Sequence, residues 1–198
     1  MMMDANPETE MIERLEHRVK WLERELLRVQ FHATHDELTG LLNRGLFSDR
    51  LEQAVVQARR RKRQVGLLFL DLDNFKHIND RYGHQVGDEL LQQVAQRLVG
   101  CTRDADTVGR FGGDEFMVLI PEVNSEQDVA SLARKLKQCL MGPHMIGEHE
   151  VVLTATVGAA IYPDDSAEQE GLIRCADVAM YSAKAGNVPL RVFQDAGA

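Results

Sequence analysis

The chain has 198 residues, 44% of them hydrophobic and 27% charged, with a formal net charge of −8. Length and balance fit one globular domain with a short appendage, and exclude a multidomain assembly or a chain that is disordered throughout. The acidic excess also argues against a protein that coats nucleic acid, which needs a basic face.

An anionic ligand would therefore have to meet a local lysine or metal ion. The longest apolar stretch, around residues 65–70, falls far short of the roughly 18–20 residues of a membrane span, and the N-terminus is too acidic for a signal peptide. No membrane partner is expected. Cys101, Cys139 and Cys175 are widely spaced with no CxxC pair, so neither a disulfide framework nor a zinc site is expected. The resulting picture is of a reducing, cytoplasmic setting.

Ile12, Leu15, Val19, Leu22, Leu26 and Val29 step by three and four, and Ala33 continues the series. This is an a/d heptad seam. The residues between are mostly charged, so residues 8–33 are expected to form a dimerising coiled-coil helix, with a plain amphipathic helix folded onto the domain as the alternative. Residues 34–44 read as a loop and residues 46–63 as a helix. The helix ends in Arg59-Arg60-Arg61-Lys62-Arg63, where positive charge complements the macrodipole and faces water.

Residues 65–72 read as a buried strand, followed by a polar turn and a helix over 86–99. Residues 107–111 and 115–120 read as strands around a tight turn at Gly112-Gly113. A helix over 125–140 follows, with Ser125 as N-cap. Strand candidates lie at 149–155 and 156–162, either separate or as one continuous strand, then a helix at 167–185 and a last strand at 190–193. Strands alternating with helices around a central hairpin indicate an open sheet with helices packed on it.

The first strand runs into Asp71-Leu72-Asp73, and side-chain alternation puts both carboxylates on one face. Asp114-Glu115 follows the Gly112-Gly113 turn directly. If the hairpin lies beside the first strand, hard oxygen ligands converge next to backbone without side chains. Such an arrangement suits Mg²⁺ and a nucleoside triphosphate.

Taken together, Arg110-Phe111-Gly112-Gly113-Asp114-Glu115-Phe116 resembles the defining motif of the GGDEF family of diguanylate cyclases. Four further blocks agree. Asp36-Glu37-Leu38-Thr39-Gly40-Leu41-Leu42-Asn43-Arg44 resembles DxLTGLxNR, and Asp71-Leu72-Asp73-Asn74-Phe75-Lys76-His77-Ile78-Asn79-Asp80 resembles DxDxFKxIND. Tyr82-Gly83-His84-Gln85-Val86-Gly87-Asp88 is similar to YGHxxGD, and Ala176-Asp177-Val178-Ala179-Met180-Tyr181-Ser182-Ala183-Lys184 to ADxAMYxAK.

The resemblance implies an α+β domain over residues 34–193, with a ferredoxin-like central antiparallel sheet of the polymerase-palm type flanked by helices. It implies conversion of two GTP into cyclic di-GMP and two pyrophosphates by facing domains of a homodimer. Carried over residue by residue, Asp71, the Leu72 carbonyl and Asp114 hold Mg²⁺, with Mn²⁺ as a substitute. Asp114 and Glu115 supply catalytic carboxylates, with either Asp114 as proton acceptor for the attacking 3′-hydroxyl or metal-bound activation doing the same job, and Lys76 stabilises transition-state charge. Gly112 and Gly113 approach the phosphates and Lys184 contacts the triphosphate. Asn79, His84 and Asp88 read guanine. Arg103 and Asp106, the latter six residues before Gly112, form a product-inhibition site for cyclic di-GMP.

One departure stands out. After Lys184 the family usually continues with two residues and Gly-Arg-Asn, whereas this chain reads Ala185-Gly186-Asn187-Val188-Pro189. The arginine is absent, and Arg191 lies too far along to be its substitute. The alternative implied by the same resemblance is a non-catalytic receptor that binds cyclic di-GMP and signals by contact. A purely structural dimerising module explains the heptads but not the carboxylates.

Overall fold

The computed structural model describes residues 7–186 and 190–193. Two compact units divide between His35 and Asp36. The first is helix α1 (Pro7–Thr34). Its seam residues Ile12, Leu15, Val19, Leu22, Leu26 and Val29 are each about half exposed. The Arg18 guanidinium lies over Trp21 at 5.0 Å, and Arg28 pairs with Glu25 at 3.0 Å. Where the helix ends, the Phe31 and His35 rings stack at 4.4 Å.

The second unit contains α2 (Arg44–Arg61), β1 (Gln64–Leu72), α3 (Phe75–Tyr82), α4 (His84–Cys101), β2 (Thr107–Gly112), β3 (Glu115–Val123), α5 (Glu126–Leu140), β4 (His144–Ile146), β5 (His149–Val151), β6 (Ala155–Tyr162), α6 (Gln169–Ala185) and β7 (Leu190–Val192). The main sheet has the order β2-β3-β1-β6-β7. Strands β1, β2, β3 and β6 are antiparallel to their neighbours, in the order of a ferredoxin-like unit; β7 adds a parallel edge beside β6.

Alternation along β1 feeds two cores. Leu68, Leu70 and Leu72 pack with α4 and α5 residues such as Leu90, Val94, Val129 and Leu136. Val65, Leu67 and Phe69 face the other way, towards Phe47, Leu51 and Val55 of α2 and Leu172, Ala176 and Met180 of α6. Helices therefore cover both faces, which is why β6 is buried throughout. Where α6 crosses β6, a Cβ at Gly158 would stand 2.1 Å from the Ala176 carbonyl oxygen and 2.2 Å from the Met180 nitrogen.

Several local expectations change. The polar turn after β1 is the helix α3, whose Phe75 and Ile78 are buried. Asn43 caps α2, its Oδ1 accepting from the Leu46 N–H at 3.0 Å, so the helix begins before residue 46. The region before β6 is a separate hairpin, β4 with β5, broken from β6. The basic run does close α2, with Lys62 in the left-handed region at φ 54°. The cysteine expectation is overturned: Cys101 and Cys139 form a disulfide. Their spacing hid it because packing of α4 against α5, not a local motif, brings them together. Cys175 lies buried in the α6 side of the structure. No helix among the described residues is long and apolar enough to cross a membrane.

Candidate active site at the end of β1

Asp71 pairs in register with Glu115 of β3 and with Thr156 of β6, so the carboxylates arrive from adjacent strands at one level. Asp71 continues the Val65, Leu67, Phe69 series and thus emerges on the α6 side of the sheet. There the Lys184 ammonium lies 2.5 Å from Asp71 Oδ1. The Leu72 N–H donates to the Asp114 carbonyl at 3.2 Å, closing the hairpin loop onto the end of β1.

Asp73 points to different partners. Its carboxylate accepts from Thr154 Oγ1 at 2.5 Å and Thr156 Oγ1 at 2.7 Å, and its N–H donates to the Thr154 carbonyl. It therefore anchors the chain beyond β1 to the start of β6.

The loop between β2 and β3 is Gly113-Asp114, with Gly112 opposite Glu115, so the glycine pair straddles the strand end and does not form the loop by itself. Gly113 has φ +51° and Gly112 φ +155°, and nothing lies within 4 Å of a Cβ built on either. The backbone is consequently open to a bulky anion. Arg110 braces this turn from beneath: its Nε and Nη2 donate to the Gly113 carbonyl at 3.0 and 2.7 Å, while Nη1 reaches Asp36 at 3.0 Å. Neither Arg110 nor Asp36 was assigned a role from sequence; they stand 74 residues apart, and no local signal announces the pair.

The cluster carries excess negative charge. Burial pushes the Asp71 carboxyl above its usual range; Lys184 opposes this, while Asp114 and Asp73 add to it. Burial also raises Glu115, reinforced by Asp71, Asp114 and Asp177, with Lys184 again opposing. Asp177, on α6, contributes to this field, and nothing in its local sequence marks it for that part.

The Asp71 and Asp114 carboxylates supply hard oxygens of the kind Mg²⁺ takes while keeping sites for water and phosphate. Among the described residues no group of three or more His, Cys, Asp or Glu side chains is placed to hold a metal ion.

The remaining candidates stand on the next two helices. Lys76 is exposed in the first turn of α3, and Asn79 lies on the same helix. His84 opens α4, and Asp88 is exposed one turn later. Gly87 sets their approach: a Cβ there would lie 1.9 Å from Asn79 Oδ1. That oxygen is buried and has no hydrogen-bond partner. Arg103 and Asp106 lie elsewhere, before β2. The Arg103 N–H donates to Asp106 Oδ2 and the Asp106 N–H to the Arg103 carbonyl, both at 2.9 Å. Residues 187–189, which carry the departure after Lys184, and the Arg191 side chain lie outside the described residues.

The family model described as "Diguanylate cyclase, GGDEF domain" matches residues 33–188. The chain belongs to the GGDEF family. It is similar to the bifunctional diguanylate cyclase/cyclic di-GMP phosphodiesterase MucR of Pseudomonas aeruginosa, with 48% identity over 161 residues, 81% of this chain and 23% of that protein. The structure of the GGDEF domain of TpbB from Pseudomonas aeruginosa matches with a TM-score of 0.79 and 38% identity, covering 81% of this chain and 94% of that one. The coiled coil and GGDEF domain of DgcB from Caulobacter crescentus, in complex with c-di-GMP, matches with a TM-score of 0.80 and 26% identity, covering 94% of this chain and 100% of that one. The chain spans about a quarter of the length of MucR and 35% of that of the TpbB protein.

Proposed function

We propose that this GGDEF domain is a diguanylate cyclase that condenses two GTP into cyclic di-GMP and two pyrophosphates. The supporting observation is the meeting of Asp71, Asp114 and Glu115 beside the open Gly112-Gly113 backbone, with Lys184 as counter-charge. In this reading Asp71, the Leu72 carbonyl and Asp114 hold Mg²⁺ or Mn²⁺. The bound cation supplies charge neutralisation at the α-phosphate and the departing pyrophosphate, and lowers the pKa of the attacking 3′-hydroxyl.

The chain's own groups do the rest. Asp114 takes the proton of that hydroxyl, with Glu115 beside it as the second catalytic carboxylate. The Gly112 and Gly113 backbone receives the phosphates without steric conflict. Lys184 shifts from Asp71 to the triphosphate once another cation balances the carboxylate, and Lys76 meets charge developing on the phosphate. The Asn79 amide and the Asp88 carboxylate, with His84 beside them, complement guanine; adenine would leave them unpaired.

Each domain binds one GTP, so closure of the product requires a second copy facing the first. Residues 8–33 supply it as a parallel coiled coil, which raises the effective concentration of one loaded domain near the other. Cyclic di-GMP returns to Arg103 and Asp106 as inhibitor, the arginine pairing a phosphate or stacking on a base.

The deciding test is purified protein, stripped of carried-over nucleotide, incubated with GTP and Mg²⁺ and analysed by liquid chromatography and mass spectrometry. Cyclic di-GMP that disappears in Asp114→Ala is the expected result. No product, together with tight cyclic di-GMP binding lost in Arg103→Ala, would replace the cyclase with the receptor reading.

A further inference from the structure

Cys101 is the last residue of α4 and Cys139 lies one residue from the end of α5; their Cα atoms are 6.9 Å apart and their sulfurs are bonded. Beside them is a cavity of about 280 Å³. Cys101, Arg103 and Asp106 line one side, and Asp128, Ser131 and Lys135 of α5 line another. The same two helices are tied a second time, the Lys135 ammonium donating to the Cys101 carbonyl at 2.9 Å. Arg103 follows Cys101 by two residues, and its reciprocal bonds with Asp106 make the turn a closed unit attached to the end of α4. The spacing of α4 and α5 therefore sets the distance between the Arg103 turn and the α5 wall.

We propose that Cys101 and Cys139 form a reversible thiol–disulfide exchange site whose oxidation state sets the affinity of the adjoining cavity for cyclic di-GMP. The inference rests on the reading of Arg103 and Asp106 as the product site. Both cysteines are partly exposed, whereas Cys175 is buried. Solvent-accessible disulfides are the labile, exchange-prone ones, in contrast to buried structural ones.

The oxidant is a low-molecular-weight disulfide of the glutathione type. One protein thiolate, its proton released to solvent, attacks a sulfur of that disulfide and expels a thiolate that takes up a proton. The second protein thiolate then displaces the remaining small thiol from the mixed disulfide. Two protein thiols and one small disulfide become one protein disulfide and two small thiols, with two electrons passing to the small molecule. Joining the helices removes a degree of freedom that the ligand would otherwise have to freeze, so the oxidised cavity binds more tightly. Coupling is reciprocal: cyclic di-GMP makes the disulfide harder to reduce by the same factor.

The test uses the full chain equilibrated across ratios of reduced to oxidised glutathione. Disulfide occupancy is read by mass spectrometry of alkylated peptides, and cyclic di-GMP affinity by calorimetry at both ends of the series. The expected result is a 101–139 linkage and a Kd about five-fold or more lower in the oxidised protein. Saturating cyclic di-GMP should move the midpoint ratio by that same factor. Cys101→Ser should bind like reduced wild type at every ratio, while Cys175→Ser should follow wild type. A linkage that never forms, or equal affinity in both states, overturns the proposal and leaves the product site standing. Absence of binding in both states overturns the product-site reading and the coupling together.

Discussion

One nitrogen of Arg110 holds both carboxylate oxygens of Asp36, at 3.0 and 3.2 Å, while the rest of the guanidinium grips the Gly113 carbonyl. The segment that opens the domain is thereby fastened to the turn that presents Asp114. Arg110→Ala frees that turn and leaves Asp36 half-buried without its cation, at a cost of about 1–3 kcal/mol. We expect a lower urea midpoint and at least about ten-fold slower turnover, since a small displacement of the proposed phosphate-binding turn would be costly. Arg110→Lys should not restore activity, because an ammonium cannot reproduce the planar fork. A folded Arg110→Ala protein with wild-type turnover would remove Arg110 from any positioning role.

Acid should act on this domain in two opposite directions. At Asp36 burial favours the neutral form, but hydrogen bonds from Thr39 and Arg110 outweigh it and hold the carboxyl below its usual range. Its contribution to stability is present above the unfolded pKa and lost as pH falls through the folded one. Glu115 is raised, so its ionised form strains the native state at neutral pH, and that strain is relieved as pH falls through the raised folded value. Glu115→Gln should therefore raise the melting temperature at pH 7, with the gain shrinking on acidification. A melting temperature unchanged between variant and wild type at pH 7 would contradict the crowding of charge at Asp71, Asp114 and Glu115.

The same raised carboxyls shape the activity profile. In the proposed reaction Asp71 must be ionised to hold the cation and Glu115 to act as a catalytic carboxylate, so the acid limb of turnover should lie above the ordinary carboxylate range. Saturating Mg²⁺ competes with protons for those oxygens and should move the limb to lower pH. Profiles at limiting and saturating Mg²⁺ check this; identical limbs would place the titrating group elsewhere.

Gly87→Ala tests the proposed base pocket without replacing any hydrogen-bonding side chain. The added methyl meets Asn79 Oδ1 and, at 3.2 Å, the Phe75 ring. We expect KM for GTP to rise about ten-fold and discrimination against ATP to shrink, with a smaller change in kcat. Unchanged KM in steady-state assays would separate Asn79 from guanine recognition.

Leu22→Glu combined with Leu26→Glu places two charges on the seam of α1. Burial of each leucine in a partner helix is worth about 1.5–3 kcal/mol when complete. Sedimentation should show monomers, and turnover should become steeply dependent on protein concentration. Dimers that persist would assign self-association to another surface.

What sequence could reveal was governed by distance along the chain. The Asp71, Asp114 and Glu115 cluster was legible because strand alternation and a glycine pair are local signals. Helix α3 was missed because eight residues with Lys76, Asp80 and Arg81 among them look polar, and only Phe75 and Ile78 mark its buried side. The Cys101–Cys139 bond spans 38 residues and exists only because α4 meets α5. The parallel edge at β7 was equally hidden, since a three-residue strand carries no sign of its direction.

Gly158 lies beneath α6 and allows the helix backbone to rest on β6. Any larger residue there would act as a wedge under a beam, lifting α6 and carrying Lys184 and Asp177 with it. Every group that does chemistry would keep its identity, yet the ammonium would lose its reach to Asp71. The candidate site is thus calibrated from below, at a glycine outside it whose Cβ would stand only 2.1–2.2 Å from the α6 backbone.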